Sequence, residues 1–141
     1  MHNPIFPCLW FDGKAKEAAD FYCSVFTNSR ILQETPMVVI FEMNGSKFMG
    51  LNGGPQFPFT EAVSLVVNCD TQDEIDYFWN RLTADGGKES RCGWLKDKYG
   101  LSWQIVPSNI GQLMSDPEKA NRVMQVILQM NKLDIEKIRQ A

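Results

Sequence analysis

Few side chains in this sequence are equipped for chemistry, and their spacing narrows the choice further. The one histidine, His2, stands beside the N-terminus, where chains fray. Ser–His–acid catalysis and imidazole-rich metal sites therefore lack their base and their ligands. Four cysteines, Cys8, Cys23, Cys69 and Cys92, are too widely spaced for a CxxC pair or a zinc knuckle. Cys8 is the best nucleophile among them, but without an imidazole its thiol would need a nearby Lys or Arg to lower its pKa. The plainer reading of all four is as small core-filling hydrophobes that stay reduced in a cytoplasm. Among carboxylates, Glu42 alternates with Phe41 and Met43, and Asp97 precedes Lys98-Tyr99-Gly100 as an exposed turn-former does. Gln104 is the most telling polar residue. It interrupts the apolar run Ser102-Trp103-Gln104-Ile105-Val106, and an unpartnered buried amide costs about 1–3 kcal/mol. Either the fold satisfies it internally or it awaits a ligand. Asn52 and Ser64 are weaker candidates of the same kind.

The elements that must position these residues fall into two copies. Shifting the sequence by 56 positions sets Leu9 on Leu65, Asp20 on Asp76, Phe21 on Tyr77, Tyr22 on Phe78 and Phe26 on Leu82. Each copy reads as a strand, a polar turn and an amphipathic helix. The first has a strand over Ile5–Phe11, the turn Asp12-Gly13-Lys14 and a helix to Phe26, with Ala18, Phe21, Tyr22, Val25 and Phe26 at helical spacing. The second has a strand over Ala62–Asn68, a turn at Cys69-Asp70-Thr71 with Asp70 or Thr71 as N-cap, and a helix to Ala84 carrying Ile75, Phe78, Trp79 and Leu82. After a one-residue slip, Asn44-Gly45-Ser46-Lys47-Phe48-Met49 resembles Tyr99-Gly100-Leu101-Ser102-Trp103-Gln104, each a glycine turn entering an alternating run. Strands are predicted over 30–34, 37–43 and 47–52, then over 88–91, 92–97 and 101–106. Beyond Pro107 the pattern becomes helical. Ser115-Asp116-Pro117-Glu118 reads as a capping box ahead of a stripe of Val123, Met124, Ile127 and Leu128, and a shorter helix follows Asp134 with Ile135 and Ile138 on one face. Those stripes must pack on the sheet or on a second subunit. The whole, residues 1–141, is expected to be one α+β domain: repeat one over 4–54, repeat two over 59–107 and a helical appendage over 110–141.

The net charge is −3, with no basic run, which excludes a nucleic-acid or anionic-membrane footprint. No apolar stretch reaches the roughly 18 residues of a membrane span, and the N-terminus has no leader pattern. A cytoplasmic setting is expected.

The segments LWFDGKAKEAADFY, VVNCDTQDEIDYFW, CGWLKDKYGLSWQIVP and DPEKANRVMQVILQM resemble the PhnB-like branch of the vicinal oxygen chelate superfamily, which includes glyoxalase I, bleomycin-resistance proteins and extradiol dioxygenases. That resemblance implies two βαβββ repeats curled into cup-shaped mixed sheets, and a homodimer. It also implies metal ligands on the first and last strand of each half, at positions near Phe6, Met49, Ala62 and Gln104. Phenylalanine and alanine offer no donor, and a two-residue slip would bring in only Cys8 or Ser64, so no metal is expected. Proteins of the branch are often described as carrying a demethylubiquinone methyltransferase domain. A Rossmann-type cofactor site needs a Gly-rich turn opening a helix, and Asn52-Gly53-Gly54-Pro55 leads into Gln56-Phe57-Pro58 instead, so no cofactor is expected either. The remaining expectation is a small, partly apolar or aromatic ligand in the cup. Its lining would draw on Cys8, Trp10, Met49, Asn52, Ser64, Trp94, Trp103 and Gln104, with Phe59 beside them, against the plainer reading of the Trp and Phe residues as core. The alternative is an isomerase, lyase or dioxygenase of the same superfamily, with or without a metal.

Overall fold

The computed structural model describes residues 2–141 and divides them into two compact units, the first ending at Phe59 and the second running Thr60–Ala141. In the first, β1 (Cys8–Phe11), α1 (Ala15–Val25), β2 (Arg30–Glu34), β3 (Val38–Met43) and β4 (Ser46–Asn52) build a four-stranded sheet in the order β1-β4-β3-β2. The β1–β4 pair is parallel and the others are antiparallel. β1 starts three residues later than predicted. Pro4 and Pro7 have no N–H for a ladder, Ile5 is 97% exposed, and pairing opens with the Met49 N–H donating to the Pro7 carbonyl. Asn44 and Gly45 both take the left-handed backbone that a two-residue hairpin turn demands (φ 50° and 83°).

Helix α1 lies close on this sheet because Ala15, Ala18 and Ala19 present almost nothing to hold it off. A Cβ at Gly50 would come within 3.2 Å of the Ala15 methyl. Tyr22 stacks on Phe41 and Phe41 on Phe48, with centroids 6.3 and 5.7 Å apart. Lys14, at the N-cap, supplies no side-chain bond, so the Asn52 carboxamide substitutes from β4. Its Oδ1 accepts from the Ala15 N–H at 2.9 Å, and its Nδ2 donates to the Pro36 carbonyl at 3.1 Å.

The second unit repeats the plan with β5 (Ser64–Cys69), α2 (Gln72–Thr83), a 3-10 turn at Ala84–Gly86, β6 (Lys88–Glu89), β7 (Trp94–Lys96) and β8 (Ser102–Pro107), in the order β5-β8-β7-β6. Again the first and last strands pair parallel. Thr71 is the N-cap of α2 and forms a reciprocal box with Glu74. The helix buries Ile75, Trp79 and Leu82, and the sheet beneath it buries Leu95, Trp103 and Ile105. β6 and β7 are shorter than predicted because Cys92 and Gly93 turn through left-handed backbone (φ 63° and 83°) and give their N–H groups to the Met130 and Asn131 carbonyls.

Asp97 corrects the sequence reading. It is 2% exposed, not a surface turn-former. Its carboxylate accepts from the backbone N–H of Tyr99 and Leu101 and from the Trp103 indole, at 2.9, 3.1 and 2.9 Å. The hairpin turn is thus tied to the core beneath α2.

Three helices close the chain: α3 (Ile110–Leu113), α4 (Pro117–Ile127) and α5 (Ile135–Arg139). The cap of α4 is Asp116, accepting from the Glu118 N–H, and not the Ser115 box expected, because the Ser115 hydroxyl turns back to the Gln112 carbonyl. Val123, Ile127, Leu133 and Ile138 form a small core against Cys92 and Val106 of the same unit. Burying side chains of this kind contributes about 1.5–3 kcal/mol each. The Gln72 amide bridges the Leu133 carbonyl and the Ile135 N–H, and Lys132 pairs with Asp76 at 2.8 Å, holding the Asp76 carboxyl below the usual range. These helices are therefore built into the second unit. Met124 and Leu128, from the same predicted stripe, remain exposed. Among the described residues no helix is long and apolar enough to cross a membrane.

Candidate functional site

Each sheet has one face under the helix that follows its first strand; on the other face of the second sheet the C-terminal helices reach Val106, and strand alternation decides which side chains these second faces receive. In the first sheet the helix side takes Leu9, Phe11, Val39, Phe41, Phe48 and Gly50. The other side takes Cys8, Trp10, Met49, Leu51, Val38 and Ile40, none of them fully buried. Register makes two rows of them: Cys8–Met49–Ile40 and Trp10–Leu51–Val38. The Trp10 ring is fixed in place. Its indole N–H donates to the Gly54 carbonyl at 2.8 Å, Phe57 meets it edge-on at 4.8 Å, and Gly53 passes so close that a Cβ there would lie 2.2 Å from the ring. Further along the same face Glu42 pairs with Arg30 at 3.5 Å, and Lys47 stands over the Phe6 ring at 4.5 Å. Burial pushes the Cys8 thiol above its ordinary pKa, and burial first of all pushes Cys69 up to about 12, with Glu74 and Asp70 adding to it.

In the second sheet the corresponding face carries Ser64, Ser102, Lys96 and Lys88 in one row and Val66, Gln104 and Trp94 in the next. The Gln104 amide donates to the Ser64 hydroxyl at 3.0 Å, which leaves its second N–H and its carbonyl uncommitted among the described residues. Ser102 is 1% exposed, and its hydroxyl has no hydrogen-bond partner among the described residues. Lys96 pairs with Glu61, which arrives from the loop ahead of β5 and whose carboxyl Lys96 holds below the usual range.

The sequence-derived residues therefore divide. Cys8, Trp10 and Met49 gather on the open face of sheet one, and Ser64, Trp94 and Gln104 on that of sheet two. Trp103 does not join them. It stands on the helix side, 2% exposed, bonded to Asp97. Asn52 spends its amide on the α1 N-terminus, and Phe59 meets Phe11, a helix-side residue, edge-on at 5.5 Å. Strand alternation in the sequence already sets Lys96 beside Trp94 and Ser102 beside Gln104, although neither is among the expected lining residues, and the register agrees. Nothing local pairs Glu61 with Lys96.

The donors at the strand pairs do not make a metal site. Cys8 faces Met49 across the parallel pair of sheet one, and Ser64 faces Ser102 and Val66 faces Gln104 in sheet two. A protonated thiol, a thioether, hydroxyls and an amide suit neither a hard nor a borderline divalent ion. Among the described residues no three His, Cys, Asp or Glu side chains are grouped so that they could hold a metal ion. A nucleotide-type methyl donor fits no better, because the Gly53-Gly54 turn opens no helix and its close approach seats Trp10.

Two four-stranded mixed sheets, each crossed by a helix after its first strand, define the glyoxalase/bleomycin resistance fold. Solved structures agree. The PhnB protein of Bacillus cereus is 34% identical, with 74% of this chain and 99% of that one covered at a TM-score of 0.66. A glyoxalase-related enzyme from Fulvimarina pelagi (20% identity, 74% and 87% covered, TM-score 0.53) and the fosfomycin resistance protein FosX of Listeria monocytogenes, solved with Mn(II) and sulfate (11% identity, 81% and 96% covered, TM-score 0.59), share the fold. The family model described as 3-demethylubiquinone-9 3-methyltransferase matches residues 3–106. The chain belongs to that PhnB-like family within the glyoxalase superfamily. No curated protein matches it.

Proposed function

We propose that this protein binds a small, partly apolar or aromatic molecule against the open sheet faces, using hydrogen-bonding side chains and no metal. The observation that carries the reading is the Gln104–Ser64 pair at 3.0 Å, set beside Trp94 and the exposed Val66, with amide capacity left over. A polar group with unused hydrogen-bonding capacity, framed by apolar surface, is what orients a small ligand. Taken by itself, the first sheet offers a separate surface, where Trp10, fixed in its orientation, presents a rigid aromatic ring at low entropic cost. The expected homodimer, single 1–141 domain and cytoplasmic setting go with this reading.

Catalysis finds less support. Glu42 is tied to Arg30, Asp97 is buried on the helix side, and the raised Cys8 thiol is mostly protonated at neutral pH.

The test is tryptophan fluorescence of chelator-treated protein against a panel of small aromatic and apolar compounds. Binding is expected, and Gln104→Leu should weaken it about 10-fold, the equivalent of one hydrogen bond. A panel without a single binder, or binding indifferent to Gln104, overturns the reading.

A further inference from the structure

The face of sheet two carries more positive charge and more hydrogen-bond donors than a neutral ligand needs. One row across it reads Ser64, Ser102, Lys96, Lys88, with Lys96 and Lys88 directly opposite each other on β7 and β6. Like charges in that position repel, and no carboxylate in the row offsets them. Among the described residues only Glu61 does so, from an irregular loop, with a side chain that is 62% exposed. Beside Lys96 lies the Ser102 hydroxyl, buried and unpartnered, and one row on lies the Gln104 amide with an N–H to spare. Two ammonium groups, two hydroxyls and an amide on one face form a receptor for an oxyanion. The ring of Trp94 and the exposed Val66 add apolar contact in the adjoining row.

We propose that the ligand of this face is a small apolar or aromatic carboxylate, held by Lys96, Ser102 and Gln104, and that Glu61 is its internal stand-in on Lys96. This rests on the binding function proposed above and names the class of ligand. On ligand entry the Glu61–Lys96 pair exchanges for a ligand–Lys96 pair, and the exposed Glu61 carboxylate is released to solvent. An exposed carboxylate on a loop is a weak competitor, because exposed ion pairs contribute little. Ser102 gains its missing partner in the same step.

The experiment compares phenylacetate with its neutral isostere phenylacetamide, titrated into 15N-labelled protein at low salt and read at the Gln104 side-chain amide and the Trp94 indole N–H. Phenylacetate should bind about 10-fold more tightly, as charge-assisted hydrogen bonds exceed neutral ones. Lys96→Met should erase that preference, and Ser102→Ala should lower phenylacetate affinity about 5-fold. Glu61→Gln gives the sharpest result: phenylacetate affinity should rise about 3- to 10-fold while phenylacetamide is unaffected, because the competitor has gone and only the charged probe sees it. Lys96 and Glu61 are both substantially exposed, so these variants leave the fold intact. Equal affinity for the two probes, or weaker phenylacetate binding in Glu61→Gln, overturns the carboxylate assignment while leaving the general binding function standing. If neither probe moves either resonance, the general reading falls with it.

Discussion

Replacing Asp97 by Ala is expected to destabilise the second unit by about 3–5 kcal/mol. The substitution deletes one acceptor group and orphans three donors, the Tyr99 and Leu101 N–H groups and the Trp103 indole, the last two in buried positions. Each buried donor left unmet costs about 1–3 kcal/mol. The loss spreads, because the turn sets the register of β7 on β8, and that register lines up Lys96 with Ser102 and Trp94 with Gln104. Asp97→Asn keeps one acceptor oxygen for the two backbone donors but turns an NH2 toward the indole, so about half the loss is expected. Urea unfolding reads both. The midpoint should fall with an unchanged slope, which separates lost stability from a change in the unfolded chain. An Asp97→Ala protein as stable as the parent would mean that the turn is held by something other than this carboxylate.

Gly53→Ala acts on the other unit. The added methyl would stand 2.2–2.4 Å from Trp10 ring atoms, closer than any real contact, so the indole must swing away and release the Gly54 carbonyl. Overpacking of this kind costs about 1–3 kcal/mol. The expected signature is more specific than lost stability: a shift in Trp10 fluorescence and weaker ligand binding on sheet one. A milder probe is Trp10→Phe, which keeps one aromatic ring and removes the five-membered ring with its N–H, and so the bond to the Gly54 carbonyl. It should lose less ligand affinity than Gly53→Ala, read by calorimetric titration because the variant has no Trp10 emission. If Gly53→Ala binds like the parent, Trp10 takes no part in the site.

Most of the architecture could be read from the sequence because each repeat announces itself twice. The 56-residue offset placed strand, turn and helix in both units, and the Asn44-Gly45 turn fixed the first hairpin. What failed had physical causes. The strand ends at Ile5 and Ala62 were overrun because apolar composition continues past the point where a partner strand supplies hydrogen bonds. Asp97 was misread because its turn chemistry is local, whereas its burial depends on Trp103, six residues on and folded back beneath α2. Trp103 was placed with the ligand on the strength of its aromatic character, although alternation with Gln104 already put it on the opposite face. Asn52 showed no local sign of its task because the helix it caps begins 37 residues earlier. The Gln104–Ser64 contact joins residues 40 apart and follows from the parallel pairing of β5 with β8, which the repeat predicts. The Glu61–Lys96 pair involves a loop residue, and no periodicity constrains where it lies.

The proposed recognition on these faces runs through side-chain hydrogen bonds and not through a bound cation. It is tested most directly by calorimetric titration of one fluorescence-positive compound into chelator-stripped protein, repeated with Zn(II), Mn(II) or Ni(II) added. The account predicts the same affinity in every arm and a common loss of about 10-fold in Gln104→Leu. Binding that appears only when a cation is supplied, and that ignores Gln104, would contradict it.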